Sequence, residues 1–136
     1  MAENIRLEIV TPEKSVVSDE AKIVMAPGSL GEFGVLSGHT PFMTTLKVGS
    51  VRYEDAGGKE RFVFVSGGFA EALPDRITVL ADSAERRKDI DVERAKNAMQ
   101  RAEERLTKER SEDIDFMRAQ AALLRAITRL RLAETS

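Results

Sequence analysis

Ile90-Asp91-Val92-Glu93-Arg94-Ala95 stands where the chain changes character. Before it, short apolar runs are broken repeatedly by Gly and Pro. After it, through Ser136, there is neither Gly nor Pro. The hexamer carries a helix start: the Asp91 carboxylate can accept a hydrogen bond from a first-turn amide, and Glu93 places negative charge where the helix dipole is positive. Val92, Ala95, Met99, Ala102 and Leu106 follow at intervals of three and four, a heptad-like seam that predicts a helix to about Arg110. Ser111-Glu112-Asp113 reads as a polar break. A second helix follows, with Phe116, Ala119, Leu123, Ala126 and Leu130 on one stripe. So short a connection predicts an antiparallel αα-hairpin.

Upstream the period changes to two. Ile5-Arg6-Leu7-Glu8-Ile9 alternates as a half-buried strand does, and Lys22 to Ala26 reads as a strand stopped by Pro27-Gly28. Val51–Glu54 and Arg61–Val65 flank a glycine-bearing turn, and Phe69–Leu73 and Arg76–Leu80 flank Pro74-Asp75. These are two hairpins. Short strands at this spacing indicate a sandwich or a barrel. The fold class is therefore α+β, with an antiparallel β domain over residues 1–86 and a helical hairpin over 87–136. The β half is long enough to bury a core of its own, whereas two helices alone bury little and need a partner surface.

Composition excludes several functions. The net charge is −2 over 136 residues, which argues against nucleic acid as the main partner. There is no Cys, hence no disulfide framework or thiolate metal site. Met1 to Val10 lacks the pattern of a signal peptide, and runs such as Phe62-Val63-Phe64-Val65 are too short to span a bilayer. His39, the single histidine, reads as a turn or interface residue. Gly28-Ser29-Leu30-Gly31 reads as a turn, and Met43, Met99 and Met117 as packing residues. No Ser/His/Asp set supports nucleophilic catalysis.

The second helix is unusually basic. From Phe116 to Ala133 it has four arginines (Arg118, Arg125, Arg129, Arg131) and no Asp or Glu. Arg125 and Arg129 lie one turn apart, which is repulsive by a few tenths of a kcal/mol. The bland reading is a solvated face. The sharper one is a surface for an anion, phosphate or an acidic partner.

Two blocks carry a family resemblance. One is Gly31-Glu32-Phe33-Gly34-Val35-Leu36-Ser37-Gly38-His39-Thr40-Pro41, with Ser66-Gly67-Gly68-Phe69 after it; the other is the boundary hexamer. Together they resemble the epsilon subunit of bacterial F-type ATP synthase over essentially the whole chain. The resemblance implies a β-sandwich and a non-catalytic rotor subunit of the central stalk. The sandwich would join the gamma subunit to the ring of c subunits, with Glu32 and His39 facing the rotor. The hairpin would fold down or extend toward the catalytic alpha and beta subunits, where it impedes ATP hydrolysis. The location implied is peripheral, at the cytoplasmic face of the cell membrane, with no direct membrane insertion and no nucleic acid.

Some members of that family bind ATP as a regulatory ligand, with no metal required, through an Ile/Leu-Asp-x-x-Arg-Ala motif and arginines of both helices. Here the motif is Ile90, Asp91, Arg94 and Ala95, and Glu85, Arg101, Arg125 and Arg129 fall at matching positions. Arg94 and Arg101, seven apart, share a helix face. With no Gly-x-x-x-x-Gly-Lys-Ser/Thr loop, such a site would hold nucleotide without hydrolysing it. Two other functions fit the same residues: a free-standing ATP sensor, and an assembly adaptor without a ligand.

Overall fold

A computed structural model describes the backbone of residues 3–108 and 113–134, and the side chains of 3–107 and 116–134. The chain divides into two compact units, Met1–Arg87 and Lys88–Ser136.

Among the described residues, the first unit holds nine strands: β1 Ile5–Val10, β2 Ser15–Gly28, β3 Gly31–Val35, β4 Phe42–Thr45, β5 Gly49–Asp55, β6 Glu60–Val65, β7 Gly68–Leu73, β8 Arg76–Ala81 and β9 Ala84–Arg86. They hydrogen-bond in the order β4-β7-β8-β1-β2-β5-β6-β9, with β3 also on β2. The two expected hairpins are present as β5–β6 and β7–β8. The β2 strand joins the two layers of the sandwich. Its first half pairs with β1, from Ile5↔Ala21 to Val10↔Ser15. Its second half pairs with β3 on one side and β5 on the other. The ladder slips between Ala21 and Ile23, the extra residue that lets a strand bend from one layer into the next. The β1–β8 pair is parallel, which closes the first layer without a hairpin.

Alternation decides what is inside. Ile5, Leu7 and Ile9 of β1, Val17 and Val24 of β2, Val51 of β5 and Ile77 and Val79 of β8 are fully or almost fully buried in one core. Each such side chain contributes about 1.5–3 kcal/mol by leaving water. Tyr53 joins them, and its hydroxyl donates to Asp19 Oδ2 at 3.1 Å. Burial first, and the Asp19 hydrogen bond second, raise the Tyr53 pKa, so the phenol stays a proton donor.

The sequence reading missed β3, β4 and β9 and shortened β2 to Lys22–Ala26. Glycine at 28, 31 and 34 and the polar Ser18-Asp19-Glu20 hid the strand pattern. The tertiary ladder overrides those propensities, since β2 has a partner along its whole length. Two methionines were also misplaced. Met43 (63% exposed) and Met117 (66% exposed) lie on the surface, while Met99 is half-buried. Met43 sits on the outward face of β4, which alternation does not resolve in a four-residue strand.

The Ser66-Gly67-Gly68-Phe69 block has a steric cause. Gly67 and Gly68 have φ of +75° and +106°, a region L side chains rarely adopt. A Cβ on Gly68 would lie 2.0 Å from the Leu80 carbonyl oxygen. The β7–β8 ladder begins at this residue, with Gly68 opposite Ala81. We predict that Gly68→Ala destabilises the first unit by more than about 1 kcal/mol. A chemical denaturation curve for the variant checks this; an unchanged midpoint would refute the steric account.

The β5–β6 turn is held by one carboxylate. The Asp55 side chain accepts from the Lys59 amide (2.9 Å) and from Arg61 Nε (3.0 Å). These two donors, the amide first, lower the Asp55 pKa. Because the folded value lies below the unfolded one, Asp55 contributes stability above the ordinary carboxylate value of about 3.9, and that contribution disappears as pH falls through the folded pKa. Asp55→Asn should therefore melt earlier than the parent chain at neutral pH and no earlier once the parent carboxylate is protonated. Paired thermal melts across that range measure the gap, and a gap independent of pH would be the contrary result.

Candidate functional site

The second unit is built on α1 Val92–Lys108 and α2 Asp113–Glu134, preceded by a 3-10 turn at Arg87–Asp89. Asp91 caps α1 as its residue type dictates. Its Oδ1 accepts from the Arg94 amide at 3.0 Å, and its carbonyl oxygen accepts from the Ala95 amide at 3.0 Å. Ile90 immediately before the cap is buried, and Arg94 is exposed. The expected break at Ser111-Glu112-Asp113 lies outside the residues whose side chains are described.

The seam between the helices is narrower than the heptad pattern implied. Its buried members are Ala95 and Ala102 of α1 and Ala119 and Ala126 of α2, the two alanines of each helix seven residues apart, and Leu132 is buried near the end of α2. Counting outward from the turn puts Ala102 level with Ala119 and Ala95 level with Ala126. Met99, Leu106, Leu123 and Leu130 flank this line half-buried. Val92 and Phe116, expected on the seam, are 39% and 36% exposed. Alanine explains the difference. Helix separation follows the size of the contact residues, so an alanine line lets the axes approach closely.

Small residues also leave a groove. Ala98, Arg101, Ala102 and Arg105 of α1 and Ala119, Ala122, Arg125 and Arg129 of α2 line a space of about 240 Å³. Helical Cα–Cβ bonds tilt toward the helix N-terminus. In an antiparallel pair the two tilts oppose each other. Arg101 and Arg105 lean away from the turn and Arg125 and Arg129 lean toward it, so both pairs tilt toward the level of Ala98 and Ala122, which also line the groove. Arg94 lies beyond that level and leans away from it, so it is not among the lining residues. Among the described residues, Arg101, Arg105 and Arg125 form no ion pair; the Arg101–Glu104 pair that their spacing allows is not made.

Three of the arginines expected from the sequence, Arg101, Arg125 and Arg129, thus share one groove. Ile90, Asp91, Arg94 and Ala95 gather at the N-terminus of α1 instead. Glu85 belongs to the first unit, where β9 pairs it with Phe64. The sequence reading missed Arg105. Its signal was available, since Arg105 lies one turn after Arg101 on the same face.

The first unit presents two exposed surfaces. Glu32 on β3 is exposed and meets Arg52 at 3.4 Å. The His39 ring packs edgewise on Phe42 at 5.5 Å, and Phe42 packs on Phe33 at 5.1 Å. His39 Nδ1 lies 2.6 Å from the Thr40 carbonyl oxygen, while Nε2 is buried without a hydrogen-bond partner among the described residues. Leu36 and Met43 beside this cluster are exposed. On another face, Val10, Pro12, Phe69 and Leu80 border a space of about 310 Å³. Phe69 and Leu80 are cross-strand partners there, both about two-fifths exposed at 41% and 42%. Among the described residues, no helix is long and apolar enough to cross a membrane, and no three His, Asp or Glu side chains gather as metal ligands.

Comparison with known proteins covers both units. Residues 4–87 match the family described as ATP synthase, Delta/Epsilon chain, beta-sandwich domain, and residues 88–134 match its long alpha-helix domain. The ATP synthase epsilon chain of Desulfosudis oleivorans is 68% identical over 106 residues, covering 78% of this chain and 80% of that one. The epsilon chain of Desulforamulus reducens is 58% identical over 106 residues, with the same coverage of 78% and 80%. A chain of the Euglena gracilis mitochondrial ATP synthase OSCP/F1/c-ring assembly superimposes with a TM-score of 0.79 at 22% identity, over 92% of this chain and 78% of its own. A chain from the central stalk/c-ring of the Tetrahymena thermophila mitochondrial ATP synthase gives 0.59 at 10% identity, over 97% and 98%.

The alanine line makes its own prediction. Ala102→Leu adds volume where Ala119 faces it and should cost about 1–3 kcal/mol. The helical circular dichroism signal should melt earlier. An unchanged melt would mean that the helices are not held by close approach.

Proposed function

We propose, for a chain that belongs to the epsilon-subunit family of bacterial F-type ATP synthase, that it works as a regulatory piece of the central stalk whose helical hairpin responds to ATP. An epsilon subunit is a non-catalytic member of the complex, and the finer roles are argued from the surfaces of this chain. The observation that carries the reading is the groove in which Arg101, Arg105, Arg125 and Arg129 meet over alanine.

Arginines lining one groove favour an anion, and guanidinium forks match phosphate oxygens in pairs. Asp91 stands at the α1 N-terminus, seven residues from Ala98. At 1.5 Å per residue that is about 10 Å along the helix. A nucleotide lying along α1 would put its phosphate tail in the groove and its base toward Asp91 and Arg94. Adenine has an amino group that a carboxylate such as Asp91 can accept from. The site has no P-loop, so it binds without turnover. Ile90 and Ala95 belong to this proposed site by the motif, and Glu85 by its matching position in the family alone.

The two surfaces of the sandwich suit rotor partners. Glu32 and His39, with the apolar Leu36, Phe42 and Met43 near them, form the surface we assign to the c-ring. The apolar space around Phe69 and Leu80 is of the kind a gamma subunit would cover, because exposed apolar area gathered in one place marks an interaction site. With the hairpin extended, its basic face would meet acidic groups of the alpha and beta subunits. Such a subunit is peripheral, held at the cytoplasmic face of the membrane by its protein contacts.

Nucleotide and partner then compete through posture, since each favours one arrangement of the hairpin. ATP at about 100 times its dissociation constant should stabilise the hairpin by about 2.7 kcal/mol, read as a later melt of the helical signal. A chain ending at Arg87 should still join the complex and leave it hydrolysing ATP faster, because the inhibitory element is gone. A helical melt indifferent to ATP, with hydrolysis unchanged by the truncation, would sink the regulatory reading.

A further inference from the structure

The chain leaves the first unit through β9, a strand of three residues at the end of the sheet order. An edge strand that short has few hydrogen bonds to hold it and opens locally. Side chains add to the hold. Ala84 is buried in the core of the first unit. Arg86 Nε donates to the Val16 carbonyl oxygen at 3.1 Å, so β9 is tied to β2 as well as to β6. Arg87, the last residue of the unit, places its guanidinium 4.7 Å from the centre of the Phe62 ring. The β6–β9 register runs from Val65↔Ala84 to Val63↔Arg86, and the next pair in that register is Phe62 and Arg87. The stack therefore extends the ladder by one step past its last backbone pair. A guanidinium over a ring is attracted by the ring quadrupole and matches it in shape. Lys88 and Asp89, which follow, are exposed.

We propose that Arg87 and Phe62 form a clasp that keeps β9 in the sheet and so sets the joint of the helical hairpin at residues 88–90. The proposal rests on the reading of a movable hairpin given above and adds where the movement begins. Peeling β9 from β6 would add its three residues to the connection. At about 3.3 Å per residue the reach of the hairpin would grow by about 10 Å. Peeling would also draw Ala84 out of the core and break the Arg86–Val16 bond. The clasp thus limits reach, and the strength of the stack decides how often the longer reach is sampled.

Residue-resolved amide hydrogen exchange on the full chain tests the clasp. In the parent, the β9 amides bonded to β6 should exchange more slowly than those of Lys88 and Asp89. Arg87→Gln and Phe62→Leu should each speed β9 exchange about two- to fivefold, the size of a partly exposed cation–π contact, while β1 keeps its rates. The double variant should be no faster than either single one, because both changes remove the same contact. Arg87→Lys keeps the cation and should fall between. The joint is read by distance. The chain has no Cys, so Glu13→Cys and Gln120→Cys place one spin label in each unit. Pulsed electron spin resonance should show a distance distribution that Arg87→Gln broadens.

β9 amides that exchange as fast as Lys88 and Asp89 in the parent would overturn the proposal. So would additive effects of Arg87→Gln and Phe62→Leu, or no effect of either. Faster β9 exchange with an unchanged distance distribution would overturn it too, since β9 would then open without lengthening the connection. Neither measurement involves nucleotide or rotor. The clasp can therefore fail while ATP still shifts the helical melt, and it can hold while ATP does nothing.

Discussion

The close approach of α1 and α2 along Ala95, Ala102, Ala119 and Ala126 is the constraint on which the second unit depends. Alanine supplies little burial energy, so this contact is valuable for distance more than for hydrophobic gain. Helices that touch through alanine bring the bases of flanking side chains together. Long residues beside the line then share one groove, and four of them are arginines. A larger seam residue would separate the helices and dissolve the groove. Packing and electrostatics are thus coupled through the size of a single residue type.

That coupling makes the hairpin sensitive to the charge around it. Its apolar seam is thin, and its cations repel one another at the i,i+4 spacing by a few tenths of a kcal/mol per pair. A small number of anionic contacts can therefore shift the balance of such an element. The Asp91 cap adds a fixed point, since it holds the first turn of α1 whatever happens along the groove.

The first unit solves the opposite problem, that of staying rigid while exposing interaction surface. One strand, β2, runs through both layers and pairs along its full length. The core on either side is mostly aliphatic, with Tyr53 enclosed among the branched side chains. Larger apolar side chains are left outside at Phe42, Met43, Phe69 and Leu80. Isolated exposed hydrophobics are ordinary, but these gather on two faces, as interaction sites do. The glycine pair at 67 and 68 permits the tight start of β7 that brings Phe69 beside Leu80.

The amino-acid sequence by itself determined the order of β then αα, the start of α1 at the boundary hexamer, the two hairpins and the family. Each rests on local signals: period, cap and turn chemistry, and motif residues a few positions apart. Only the tertiary structure decided the rest. The missed strands β3, β4 and β9 have no clean alternation, and they are strands because a neighbour offers its hydrogen bonds. Met43 and Met117 are apolar by type but lie on outward faces, which composition cannot report. Arg94 and Arg101 share a face in sequence, yet the groove takes Arg105 in place of Arg94. That outcome follows from the opposed tilt of side chains in an antiparallel pair, a relation between two helices that neither helix encodes alone.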